Sequence, residues 1–66
     1  MTARSESLKT IIVDDEPLAR RGLRLRLEAL GGVDIVAECS NGREAKDQIV
    51  ALQPDVVFLD IQMPGI

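Results

Sequence analysis

Sixty-six residues with a net charge of −3, 45% of them apolar and 29% charged, make at most one small globular domain. The acidic balance argues against nucleic acid or an anionic membrane as a direct partner, because both select a basic surface. No apolar run reaches the ~18 residues of a membrane span, and the polar segment 1–7 lacks the apolar centre of a signal peptide, so a soluble cytoplasmic chain with a disordered tail over residues 1–7 is expected.

Leu8 to Val13 reads as the first strand, with Ile11-Ile12-Val13 forming the continuous β-branched run of a strand buried on both faces. Asp14-Asp15-Glu16 leaves it, and Pro17 opens a helix, where a missing N–H costs nothing. That helix runs to about Leu30, roughly 21 Å at 1.5 Å per residue, and Gly31-Gly32 ends it. It carries two apolar rows about 140° apart. Leu18, Gly22, Leu25 and Ala29 form the first, whose small residues suit close packing on a sheet. Leu23, Leu27 and Leu30 form the second, which faces another helix or merely widens the core stripe. Arg20, Arg21, Arg24 and Glu28 fill the remaining side and read as a solvated face.

Val33 to Cys39 alternates, with Val33, Ile35, Ala37 and Cys39 on one face, as in a half-exposed strand at a sheet edge. Cys39, the only cysteine, lacks companions for a disulfide or a metal site and reads as a small core residue in a reducing compartment. Asn41 and Glu44 have the spacing of a capping box. Ala45, Ile49 and Leu52 then repeat at helical spacing to about Gln53, where Pro54 stops the helix. Val56 to Leu59 is a third strand, apolar throughout, and Met63-Pro64-Gly65 is a turn signal.

The element order β-α-β-α-β calls for parallel strands with helices on the faces and right-handed crossovers. An edge-like second strand favours the order 2-1-3. Open α/β sheets of this kind bind ligands beyond the carboxyl ends of the strands, where the strand order reverses. Asp14 and Asp15 stand at the end of the first strand and Asp60 at the end of the third, so the three carboxylates are expected to converge. Two unit charges about 4 Å apart repel by roughly 4 kcal/mol at an effective dielectric near 20, which a divalent cation would relieve. Oxygen donors without nitrogen or sulfur suit Mg²⁺ best, with Mn²⁺ and Ca²⁺ as alternatives. Such a site holds a metal, a carboxylate able to act as nucleophile and room for a phosphoryl group.

Two stretches, Ile11-Ile12-Val13-Asp14-Asp15-Glu16-Pro17-Leu18-Ala19-Arg20 and Asp55-Val56-Val57-Phe58-Leu59-Asp60-Ile61-Gln62-Met63-Pro64-Gly65, resemble the receiver domain of two-component response regulators. The wording Asp14-Asp15-Glu16-Pro17-Leu18-Ala19-Arg20 resembles the LytTR-type subgroup. The resemblance implies the N-terminal βαβαβ portion of a flavodoxin-like receiver fold, truncated before strand four. It implies that Asp60 accepts a phosphoryl group from a histidine kinase, that Asp15 and Asp60 ligate Mg²⁺ directly, and that Asp14 acts mainly through a bound water. It also implies that the backbone carbonyl of Gln62 supplies a further ligand and that Pro64 and Gly65 shape the loop behind the acceptor. No enzymatic turnover is expected. The family's later hydroxyl and lysine have no counterpart in these residues, so phosphotransfer is expected to be poor, and strand 56–59 is expected to pair with another copy. A receiver remnant that works only through protein interaction shares every motif. A haloacid-dehalogenase-like phosphatase would need an Asp where Gln62 stands, and a dinucleotide site would need glycines where Asp-Asp-Glu-Pro stands.

Overall fold

A computed structural model describes residues 7–60, with the side chain of Asp60 outside the description. Five elements follow in order: β1 (Leu8–Asp14), α1 (Pro17–Leu30), β2 (Val33–Cys39), α2 (Gly42–Leu52) and β3 (Val56–Asp60). The strands form one parallel sheet in the order β2-β1-β3, the 2-1-3 arrangement expected from the patterning. The expected tail over residues 1–7 falls, apart from exposed Ser7, outside the described residues.

Both boundary signals of α1 work as anticipated. Pro17 occupies its first turn, and Gly31 caps it with a positive φ of 80° while its N–H donates to the Leu27 carbonyl. At α2, the Asn41 side chain accepts the Glu44 N–H at 2.9 Å. Glu44 returns its carboxylate to Ser40, one residue before the cap. Gln53 ends that helix in the left-handed region, with φ at 50°.

Right-handed crossovers in opposite directions across β1 set α1 and α2 on opposite faces of the sheet. On the α2 side, Ile11, Val13, Cys39 and Ala45 form the core, with Val36, Ala37 and Leu52 against it. Ile12 points to the other face by strand alternation, and α1 supplies the buried Leu27. Cys39 is a free, buried thiol, and burial pushes its pKa up.

Two sequence expectations are corrected. In α1 the second row faces the sheet at its middle: Leu27 is 5% exposed, although Leu30 at the helix end is 80% exposed, whereas Leu18 of the first row is 79% exposed and Leu25 also lies open. A Cβ at Gly22 would meet nothing within 4 Å, so no close approach requires that glycine. The rotation brings Arg20 and Arg24 over β2, where both pair with Glu38, so this side of the helix is not a freely solvated face. In β2 the register slips between Thr10↔Ile35 and Ile11↔Ala37. The slip leaves Val36 as the extra residue of a bulge and divides the expected Val33/Ile35/Ala37/Cys39 row between two faces. β3 is an outer strand of the sheet, with Leu59 63% exposed. Among the described residues neither helix packs on it.

Candidate functional site

The acidic end of the sheet is built from both strands. β1 runs one residue further than its apolar pattern and carries Asp14 into the sheet, where the residue is only 3% exposed. Its Oδ1 accepts the Glu16 N–H at 2.9 Å. This side-chain turn bends the chain off the strand and feeds it into α1 at Pro17. Asp15 lies exposed in the bend.

β3 likewise ends on an acid. Its register against β1 runs Thr10↔Val56, Ile11↔Val57, Ile12↔Phe58, Val13↔Leu59 and Asp14↔Asp60. The backbones of Asp14 and Asp60 are therefore direct neighbours, at the roughly 4.8 Å spacing of adjacent strands. Asp55 anchors this register at the opposite end. Its N–H donates to the Lys9 carbonyl at 2.8 Å, and its Oδ2 accepts the Lys9 N–H at 2.8 Å. The Lys9 ammonium adds a bond to the Leu52 carbonyl at 3.2 Å. With the pairing started there, five further residues on each strand bring Asp14 and Asp60 level.

Asp14 and Asp60 are thus adjacent at the backbone, and Asp15 follows in the next residue. Gln62, Pro64 and Gly65 lie outside the described residues. Among the described residues no three acidic, histidine or cysteine side chains form a metal cluster. The donor chemistry nevertheless fits a hard cation: Asp14 and Asp15 offer only carboxylate oxygen, and a third carboxylate residue stands level with Asp14.

Sequence reasoning missed two residues at this end. Arg20 donates from Nη1 to the Asp14 carbonyl at 2.7 Å, and its Nε lies 3.5 Å from Glu38 Oε1. Arg24 shares Glu38 and also meets Glu28 at 3.1 Å, and these carboxylates raise its pKa, the Glu38 hydrogen bond first. The available signal was the i, i+4 pair Arg20/Arg24 together with an acid, Glu38, on the next strand. Only the helix's rotation shows that they meet.

Comparison with known proteins gives a consistent result. The family model described as "Response regulator receiver domain" matches residues 10–66. An uncharacterized response regulatory protein of Yersinia pestis is 64% identical over 59 residues, covering 89% of this chain and 25% of that protein. The transcriptional regulatory protein BtsR of Escherichia coli is 54% identical over 59 residues, with the same two coverages. The solved signal receiver domain of NarL from Mycobacterium tuberculosis superposes with a TM-score of 0.82 at 39% identity, covering 92% of this chain and 49% of that one. The chain therefore spans about a quarter of the length of these curated relatives.

Proposed function

The chain belongs to the family of response regulator receiver domains, and from that membership we propose that it serves two-component phosphorelay signalling by accepting a phosphoryl group on Asp60. The observation that carries this reading is the register setting Asp60 level with Asp14 at the carboxyl ends of β3 and β1. The donor is a sensor histidine kinase. A carboxylate oxygen of Asp60 attacks the phosphorus of the donor phosphohistidine. The P–O bond forms as the P–N bond breaks, and the electron pair of that bond stays on the departing imidazole. Asp60 is left as an acyl phosphate, consumed rather than regenerated in the step, so the chain is an acceptor and not a turnover enzyme.

Asp14, Asp15, Asp60 and the backbone carbonyl of Gln62 would hold Mg²⁺. When bound, the ion offsets the repulsion among the carboxylates and the incoming phosphoryl oxygens. Burial of Asp14 and its bond to the Glu16 N–H fix one side of that site in advance. A cytoplasmic location goes with this reading. No helix among the described residues is long and apolar enough to cross a membrane. The narrower LytTR-type assignment is supported by the Asp14–Arg20 wording alone, and the names of the relatives do not carry it. Self-association through 56–59 is supported by the position of β3 at the end of the sheet.

The test is a Mg²⁺ titration followed by amide shifts of Asp14, Asp15 and Asp60, with intact mass measured after exposure to acetyl phosphate. Weak but saturable binding that falls further in Asp60→Asn, and a low-yield Mg²⁺-dependent phosphoryl adduct absent from Asp60→Asn, are the expected results. A chain that binds no Mg²⁺ and takes up no phosphate is an interaction module only. An adduct that persists in Asp60→Asn would move the acceptor elsewhere.

A further inference from the structure

Resting on the metal reading above, we propose that Arg20 is a positioning residue for the acidic pair: braced by Glu38 of β2, its guanidinium fixes the main chain of Asp14 and so aims the Asp14 and Asp15 carboxylates. The peptide unit that joins Asp14 to Asp15 is planar. Its carbonyl oxygen is the atom that Arg20 Nη1 holds at 2.7 Å. Holding that oxygen sets the tilt of the whole plane, and with it the backbone torsions on either side that direct both carboxylates. Asp14 is held a second time, through its own Oδ1, by the Glu16 N–H. The Arg20 N–H in turn donates to the Glu16 carbonyl at 2.9 Å. The first turn of α1 and the end of β1 therefore form one closed unit around the two acids.

The brace is specific to an arginine. Nε and Nη1 of one rigid fork serve Glu38 and the Asp14 carbonyl together, which a single ammonium does not reproduce in that geometry. Both side chains of the pair are partly shielded from water, at 22% and 27% exposure. Arg24 provides the internal comparison. It also binds Glu38, and it ties to Glu28 on its own helix, so it shares the helix-to-sheet tie. Among the described residues it pairs with Glu28 and Glu38 and not with Asp14.

Mg²⁺ titrations monitored by the Asp14, Asp15 and Glu16 amides, with the metal-free Tm of each variant recorded alongside, test the assignment. Arg20→Ala and Arg20→Lys should each weaken Mg²⁺ binding about 10-fold, the lower end of what loss of a ligand-orienting partner costs. Glu38→Gln should weaken it in the same direction, and the Arg20→Ala/Glu38→Gln double variant should be no weaker than Arg20→Ala alone. Arg24→Ala should stay within about twofold of the parent, as an exposed pair allows. If Arg20→Ala binds Mg²⁺ as the parent does while its Tm falls, Arg20 is only a structural tie and the proposal is overturned. If Arg20→Ala does not fold, Arg20→Lys carries the same comparison. A parent chain that binds no Mg²⁺ removes the metal reading itself and this assignment with it, an outcome distinct from equal binding by parent and variant.

Discussion

Glu44 receives the Ser40 N–H at 2.8 Å and the Ser40 hydroxyl at 3.1 Å, while its own N–H donates to Asn41 Oδ1. The two Ser40 bonds, the backbone one first, hold its carboxyl below the usual glutamate range. A carboxylate whose pKa is depressed by folding stabilises the fold above its unfolded value of about 4.3, and that contribution is lost as the pH falls through the lower folded value. Thermal unfolding followed between neutral and acid pH should show this loss in the parent and a flatter profile in Glu44→Gln. Asn41→Ala, which removes the cap acceptor itself, should cost about 1 kcal/mol at neutral pH. The Asn41/Glu44 spacing was legible in the sequence because a capping box is local. That the return bond reaches Ser40 and not Asn41 depends on how the chain leaves β2.

At the scale of the element, α1 carries the clearest disagreement between pattern and packing. A helix with two apolar rows offers two ways to face a sheet, and periodicity alone does not choose between them. Burial of Leu27 and the pairing of Arg20 and Arg24 with Glu38 favour one rotation, and the Leu18/Leu25 row turns outward. Leu27→Ala should therefore cost about 2–5 kcal/mol, as large-to-small changes in a core do, and in a domain this small that approaches the whole stability. Leu18→Ala should be close to neutral. Gly22→Ala should stabilise the helix by up to about 1 kcal/mol, since its Cβ enters open space. Urea titrations of the three variants decide the matter. A costly Leu18→Ala beside a silent Leu27→Ala would mean that the helix is turned the other way.

For the molecule as a whole, the sheet is covered by helices at β1 and β2 and, among the described residues, left bare at β3. An outer strand with apolar side chains on show is a template for a further strand. Light scattering should find the parent chain associated at high concentration and Leu59→Lys shifted toward monomer with its circular dichroism retained; a monomeric parent under those conditions would refute pairing through β3. What the sequence determined by itself were the features written in local chemistry and period: five elements and nearly all their boundaries, the parallel 2-1-3 order, and the acids Asp14, Asp15 and Asp60 at the strand ends. The tertiary structure alone decided the rotation of α1, the bulge at Val36, the Lys9–Asp55 clamp that levels Asp14 with Asp60, and the hold of Arg20 on the Asp14 carbonyl. Each of these joins residues on different elements, and their distance is set by how the elements pack against one another, which no repeat or spacing along one segment encodes.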